Sequence, residues 1–585
     1  MGSTDQYSVP SEARRVFENG ILRNPLMDTL PKELEALSKY VRFEGSSQPI
    51  IPINWRFTES ISAIKAFEAT MLNHLLGRKY KIDPVEIVIN TNHASLFFMS
   101  PLIARYVKEG SPVPIDPFSS MMQELFPNQD KHRSHASLHR SLVTNIYQTK
   151  DGRFYHIHGN MNPEPALAAL GLALEGEEND TYDLVVERIQ NKISQYNAED
   201  LDEIMNEKAR TSGTIAWSSD EYFASEHGKA SGKVGLYEII KDPSSTQQAS
   251  WWPENASNPS SPKRPLAGLK VVDLTRVIAG PTITRSLAEM GASVMRVVSP
   301  HVTDLSALHQ DLNWGKWNSF LHLKDEADRE KLRDLIRDAD VVVDGYRPGV
   351  MERLGFSRQA IFDLVKDRAR GILHVRENCY GWYGPWSHRS GWQQISDACC
   401  GVSRSYSQAM GHDEAVTPVF PNSDYCTGAA GCTAILEALV RRAENGGCYG
   451  IDIHDLTNHV LEKVSLNYYS QWLVRSCGAY DNERWKELWA RHENLTFRHY
   501  HAMQYSIPAM IKSLYKHDQE SLFNPEFFET RKSNLLNANF CLVKPIAQFP
   551  GNEVDLRYQI GTRGNGIDYP AWPEDLTVET VTGRL

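Results

Sequence analysis

The sequence predicts an α/β protein in which a large domain carries a parallel sheet and a smaller α+β domain accompanies it. Three observations lead there. First, short apolar runs recur with helical stretches between them: "LKVVDLT" (269–275), "SVMRVVS" (293–299), "DVVVDGY" (340–346), "GILHVREN" (371–378) and "YGIDIHDL" (449–456). Runs this short and apolar read as parallel strands buried on both faces. Second, "RVIAGPTITRSLAEMGA" (276–292) reads as a turn and a helix, and "EADREKLRDLIRDA" (326–339) as an amphipathic helix. This rhythm is that of a Rossmann-like sheet with helices on both faces. Third, the 585-residue chain exceeds one compact core, so several domains are expected. Ligands of such sheets bind beyond the carboxyl ends of the strands. That points to the loops after "VVDLT" and after "DVVVDGY".

A Ser-, Pro- and Asn-rich stretch, 241–265, lacks apolar periodicity and reads as a linker. It separates an N-terminal lobe (1–240) from a second lobe (266–585). Within the first lobe, "NWRFTESISAIKAFEATML" (54–72) aligns with "SDYCTGAAGCTAILEALVR" (423–441) at a constant offset of 369. Thr58 then meets Thr427, and Glu68 meets Glu437. With a short gap, Asn92-His93 meets Asn458-His459. The matched order of helix, gap and strand predicts a degenerate internal repeat. Trp55 occupies the place of Asp424 in it, so the copy lacks a carboxylate. Beyond it, "DGRFYHIHGNMNPEPALAALGL" (151–172) and helical stretches over 181–210 predict the smaller α+β domain. His156 and His158 lie two apart and face one side of a strand. No carboxylate or Cys cluster accompanies them, and no metal site is expected.

Composition narrows the function. The net charge is −11, from 62 basic and 73 acidic side chains, which argues against a general nucleic-acid binder or a polybasic membrane surface. No segment approaches the ~20 apolar residues of a membrane span. The opening residues lack the apolar core of a signal peptide. The ending Gly583-Arg584-Leu585 is a poor relative of a peroxisomal address and is treated as chance. All eight cysteines lie at or after Cys379, with no CxxC pair. Free thiols in a reducing, cytoplasmic setting are expected.

One stretch carries chemistry. In "VFPNSDYCTGAAG" (419–431), Asp424 is the lone charge, on a small-residue run that opens a helix. Taken locally, it could be a helix N-cap, for which Asp is favoured. It could equally be a carboxylate aimed at a substrate.

Four segments together resemble family III CoA-transferases, the group of formyl-CoA and carnitine CoA-transferases. They are "PLAGLKVVDLTRVIAGPTITRSLAEMGASVMRVVSP" (265–300), "DVVVDGYRPGVMERLGF" (340–356), "YGWYGPW…SGWQQISDACCG" (380–401) and "PNSDYCTGAAGCTAILEALVRR" (421–442). Their order and spacing agree over roughly 200 residues, and the arrangement of the whole chain resembles a fungal branch of the family. The resemblance implies a Rossmann-like large domain with a small domain, two interlocked subunits as a homodimer, an acyl-CoA and a carboxylic acid as substrates, and no metal. It places Asp424 as the nucleophile that attacks the acyl-CoA thioester to form an aspartyl anhydride. Such covalent catalysis needs a partly desolvated, well-aimed carboxylate. Small neighbours would leave room for the thioester, and the helix start would keep the carboxylate ionised. The resemblance also implies that Arg276, Val277, Ile278 and Ala279 line the CoA pantetheine, that Arg353 meets its phosphates and that Trp392 contacts CoA.

The chain departs from the family pattern at "VVSPH" (297–301), at His322 in "LHLK", and at Gln393, each where an acidic residue is usual. The racemase branch carries a His-Asp pair where this chain has Trp392-Gln393, and a proton shuttle needs titratable groups there. The favoured expectation is therefore CoA transfer. An acyl-CoA racemase, lyase or hydrolase would have to recruit His374, His388 or a histidine of the first lobe. A specialised catalyst or pseudoenzyme that no longer uses CoA is the third reading, since fold alone does not fix function.

Overall fold

The computed structural model describes residues 7–116, 119–159, 161–451 and 464–583. The N-terminal segment contributes β1 (Val41–Glu44), the 24-residue helix α1 (Phe57–Tyr80) and β2 (Ile87–Asn90), with β1 and β2 parallel. A hairpin of β3 (Arg105–Lys108) and β4 (Ser111–Pro114) follows. The small α+β domain is an antiparallel sheet of β5 (Thr144–Gln148), β6 (Phe154–His158) and β7 (Ser212–Ile215), packed on α2 (Tyr182–Ile193).

The large sheet is built from β8 (Ile240–Lys241), β9 (Lys270–Leu274), β10 (Ser293–Val298), β11 (Lys316–Phe320), β12 (Val341–Asp344), β13 (Leu373–Asn378) and β14 (Tyr449–Ile451). Their order is β11-β10-β9-β12-β13-β14-β8, and β15 (Val464–Ser465) adds to the end of β13. All pairs are parallel except β14 with β8. The expected Rossmann-like sheet is thus present. The sequence reading did not foresee β11, whose "KWNSF" is too polar to stand out. Of the expected strand over 449–456, β14 forms the start; the rest, with Asn458 and His459, lies outside the described residues.

Helices cover the sheet. They include α3 (Ala279–Glu289), α4 (Glu326–Asp338) and, after the short α5 (Val350–Arg353), the 24-residue α7 (Asn422–Asn445); α6 (Gln393–Cys399) packs instead on β6, β7 and α7, and α8 (Met503–His517) belongs to the C-terminal segment. The C-terminal segment returns to the first lobe: β16 (Phe528–Ser533) and β17 (Ala538–Val543) extend the β3–β4 hairpin, and β18 (Ala547–Gln548) pairs with β2. The largest apolar core accordingly runs through both lobes, from Val16 to Val554.

The centre of that core is a three-helix contact. Helix α7 is apolar on nearly every side, which suits a helix enclosed all round, and α1 and α3 both pack on it. A Cβ on Gly428 would lie 2.5 Å from Thr282 Cβ, and one on Gly431 2.7 Å from Ile283 Cδ1. These glycines let α3 close on α7. Gly428 and Gly431 thus serve helix packing.

The repeat alignment places α1 opposite α7, and the two helices do lie against each other. Their polar contacts differ. Glu68 pairs with Lys65 within α1, whereas Glu437 accepts from Tyr237 Oη at 2.7 Å and from Arg441. Trp55 is buried just before α1, and its indole N–H donates to the Val402 carbonyl at 3.1 Å. Replacing Trp55 by Ala should cost about 3–5 kcal/mol, read as a lower denaturation midpoint, while the folded fraction still turns over. Loss of turnover in a folded, ligand-binding Trp55→Ala protein would show that this position is part of a working site.

Candidate active site

Asp424 is the third residue of α7, and Pro421 holds the N-cap position without a side-chain cap. The capping reading of Asp424 therefore fails. The carboxylate is half-buried and faces two cavities at once.

Opposite it runs the loop after β9. Asp273 organises this loop: its carboxylate accepts from Thr275 N at 3.0 Å, Thr275 Oγ1 at 2.5 Å, Thr284 Oγ1 at 2.6 Å and Lys316 Nζ at 3.1 Å. Burial pushes the Lys316 ammonium down to about 8. Arg276 then donates to the Thr303 carbonyl. Between these anchors Val277 sits at φ +73°, a left-handed conformation that costs a β-branched residue about 1–3 kcal/mol. Ala279 begins α3 directly afterwards, so the strained turn is clamped by a strand on one side and a helix on the other.

Five residues line both cavities: Met161, Val277, Ile278, Trp392 and Asp424. They form the partition between two chambers. The first, about 390 Å³, lies at the carboxyl ends of β9, β12 and β13 and is the more polar of the two. Arg276 and Arg347 line it, and neither forms an ion pair among the described residues. Arg347 presents its surface to the cavity, although protein surrounds it. Its guanidinium is shifted downward by burial and by the charge of Arg276. Two adjacent unpaired guanidiniums are suited to a polyanion. Arg389, also in the wall, is already neutralised by Asp202 at 2.7 Å and Glu207 at 3.0 Å.

The second chamber, about 490 Å³, opens between the small domain, the loop at 305–310 and α8. Leu305, Leu308, Met503 and Ile507 give it an apolar wall. His156 and His158 stand in it, with ring centroids 5.9 Å apart. Burial pushes them down to about 4 and about 3, so both are neutral. His158 Nε2 bonds the Gln394 amide at 3.0 Å, and its ring stacks on Trp392 at 5.6 Å.

The sequence-predicted residues thus divide. Asp424, Arg276, Val277, Ile278, Ala279 and Trp392 come together around the first chamber. Arg353 does not: it ends α5 exposed, outside the chamber wall, while Arg347 at the start of that loop lines it. The loop after "DVVVDGY" was the signal for Arg347, since it follows a strand's carboxyl end. His374 is buried in the large sheet and His388 is exposed beside Glu207; neither lines a chamber.

Two further carboxylates surround Asp424 that local sequence does not reveal. Glu377 lines the first chamber from the end of β13, and Asp397 is buried on α6, where it accepts from the Gln393 amide. Burial, with help from Asp344, pushes Glu377 up to about 7. Burial also pushes Asp397 up to about 7, against the hydrogen bonds it accepts from Gln393 and Ser470. Asp424 itself is raised well above the ordinary carboxylate value, first by burial and then by the charges of Glu377 and Asp397. This shift runs opposite to what the helix start alone would produce, because desolvation and like charges disfavour the anion.

A carboxylate between an arginine-lined chamber and a more apolar one is an arrangement suited to acyl transfer. Residues 266–488 match the model of "CoA-transferase family III". The chain is 61% identical over 581 residues, 99% of its length and 96% of the relative's, to an "Acetyl-coenzyme A transferase nodX" of Hypoxylon pulicicidum. It is 33% identical over 75% of its length, and 76% of the relative's, to an acyl-CoA transferase of Gibberella moniliformis. Over 34% of its length and 52% of the relative's, it is 32% identical to an acetyl-CoA:oxalate CoA-transferase of Acetobacter aceti. The chain belongs to the family III CoA-transferases.

An anionic nucleophile makes kcat/KM rise with pH until the group is ionised. The acid limb of the profile should therefore lie above the ordinary range of about 3.9–4.3. Glu377→Gln removes a neighbouring negative charge, which favours the Asp424 anion and should move that limb to lower pH. An unmoved limb in this variant would separate Glu377 from the titration of Asp424.

Proposed function

We propose that the protein transfers CoA from acetyl-CoA to a carboxylic acid through an anhydride on Asp424. The supporting observation is that Asp424 stands in the partition between the two chambers, where one carboxylate reaches a CoA thioester from one side and an acid from the other. The acetyl donor rests on the name of the 61%-identical relative.

An Asp424 oxygen attacks the thioester carbonyl. The C–S bond breaks, and the sulfur leaves with the electron pair as CoA thiolate, giving an acetyl-aspartyl anhydride. The thiolate attacks the aspartyl carbonyl of that anhydride, which expels acetate and leaves CoA esterified to Asp424 through sulfur. The acceptor carboxylate attacks this thioester, freeing thiolate and forming a new mixed anhydride. Thiolate then takes the acceptor's acyl group, and the Asp424 carboxylate is regenerated. No net proton is consumed, which fits a site holding neutral histidines. Two groups near Asp424 with values pushed to about 7, Glu377 and Asp397, adjust its charge without having to shuttle protons.

CoA in this reading enters the polar chamber, its phosphates near Arg276 and Arg347 and its pantetheine along Val277, Ile278 and Ala279. The strained Val277 turn fixes the gap through which the thioester meets Asp424. Both chambers are walled by one chain, so the homodimer that the family resemblance implies would pair two complete sites.

Asp424→Asn should keep the fold and CoA binding but lower transfer more than about a thousandfold, the scale of losing a nucleophile. Hydroxylamine added to wild-type enzyme with acetyl-CoA should leave a hydroxamate on Asp424, seen by peptide mass spectrometry. Near-normal transfer by the Asn variant would rule out the covalent route. For the cofactor, Arg347→Ala should raise the acyl-CoA KM by about tenfold with a smaller change in kcat, the pattern of lost ground-state binding to a charged partner. Arg353→Ala should change KM less. The reverse ranking would return the phosphates to Arg353.

A further inference from the structure

The apolar chamber has no task in binding CoA, and its chemistry states what it takes. Leu305, Leu308, Met503 and Ile507 form its wall, and Asp424 stands at its inner end. Its one buried cation, Arg140, is already occupied: it is 2.8 Å from Glu175 and 3.6 Å from Glu164. Of the amides in the wall, all uncharged, Gln394 and Asn145 are engaged, while the Gln310 side-chain oxygen is buried with no hydrogen-bond partner among the described residues. Gln394 bonds His158 and donates to Met503 Sδ at 2.9 Å, and Asn145 donates to the Tyr500 carbonyl at 2.8 Å. His156 and His158 are neutral at physiological pH, and the third histidine of the wall, His135, is exposed and 3.6 Å from Asp130. A second carboxylate entering here would be desolvated with no free positive charge to meet it. A hydrocarbon body would lose only its contact with water. The volume, about 490 Å³, is that of a pocket for a drug-sized ligand.

We infer that the acceptor is a monocarboxylic acid with a large apolar body, held in the chamber walled by Leu305, Leu308, Met503 and Ile507 with its carboxyl at Asp424, and that dicarboxylic acids are excluded. This rests on the transfer reading above. The same chamber holds the apolar group as free acid and as its CoA thioester, since both place the same carbonyl carbon at Asp424. Cleavage and formation at that carbon follow the anhydride steps already written, and no further reactant is required.

The test uses the full-length enzyme with acetyl-CoA and a series of acids, with the acyl-CoA products read by mass spectrometry. From butanoate to octanoate, kcat/KM should rise roughly three- to fourfold per methylene, and succinate, glutarate and oxalate should fall more than about a hundredfold below octanoate. Ile507→Trp and Leu308→Trp narrow the chamber and should move the optimum to shorter acids. A flat chain-length profile, or dicarboxylates equal to octanoate, would overturn the inference. Exchange of labelled acetate into acetyl-CoA reports the transfer reading separately, because it needs no large acceptor. If exchange fails, the chamber is tested by calorimetry on the same protein: octanoate should bind at least tenfold more tightly than butanoate, with a negative heat-capacity change, and succinate should not bind. Absence of that preference overturns the inference whether or not exchange occurs.

Discussion

The closeness of α3 to α7 is the constraint on which the site depends. Gly428 and Gly431 remove the Cβ atoms that would otherwise strike Thr282 and Ile283, and the helices meet at a distance no larger residue permits. Because α3 begins one residue after Ile278, this contact also sets the loop at 275–278 against the first turn of α7. Asp424 and the strained Val277 are thereby brought to one partition. A side chain added at either glycine would move Asp424 away from the loop at 275–278 without touching either.

The electrostatics of the partition run against the simple expectation for a helix start. An isolated first turn favours an anion by a few tenths of a kcal/mol to about 1 kcal/mol. Burial and two neighbouring carboxylates act in the other direction, and they win at Asp424. A raised value makes a stronger nucleophile once the group is ionised, and it reduces the hydration that must be shed before attack. Folding bears the cost. Each of these carboxyl groups has a folded value above its unfolded one, so stability falls as pH rises through the window from about 4 to about 7 that Glu377 and Asp397 define. The dense packing around α7 offsets that loss.

The division of labour between the two chambers follows from where each wall originates. The polar chamber is made by strand ends of the large sheet, where loops expose Arg276 and Arg347 to solvent and to a ligand. The apolar chamber is made where the small domain, the loop at 305–310 and α8 converge. Segments more than three hundred residues apart build it, and the C-terminal strands β17 and β18 tie that segment back to β3 and β2.

The large sheet was legible in the sequence because each strand is a short apolar run with a helix after it, and burial on both faces leaves that pattern in the residues themselves. Asp424 stood out as the lone charge in its run and the 276–279 loop as a tight turn after a strand, both local features, while the roles expected of them came from the family resemblance. Strand β11 was not, because its polar residues are satisfied by partners far along the chain, such as Asp273 for Lys316 and Asp568 for the Asn318 N–H. Glu377 and Asp397 were not either. Each is ordinary in its own segment, and only the folding of β13 and α6 against α7 makes them neighbours of Asp424. Arg347 and Arg353 lie on one short stretch, and only the folded loop shows that Arg347 lines the first chamber. Local sequence determined most of the elements of the large sheet and set Asp424 at the start of α7. Tertiary structure alone decided the charge around that residue and the shape of the chambers on either side, because both arise from contacts between distant segments.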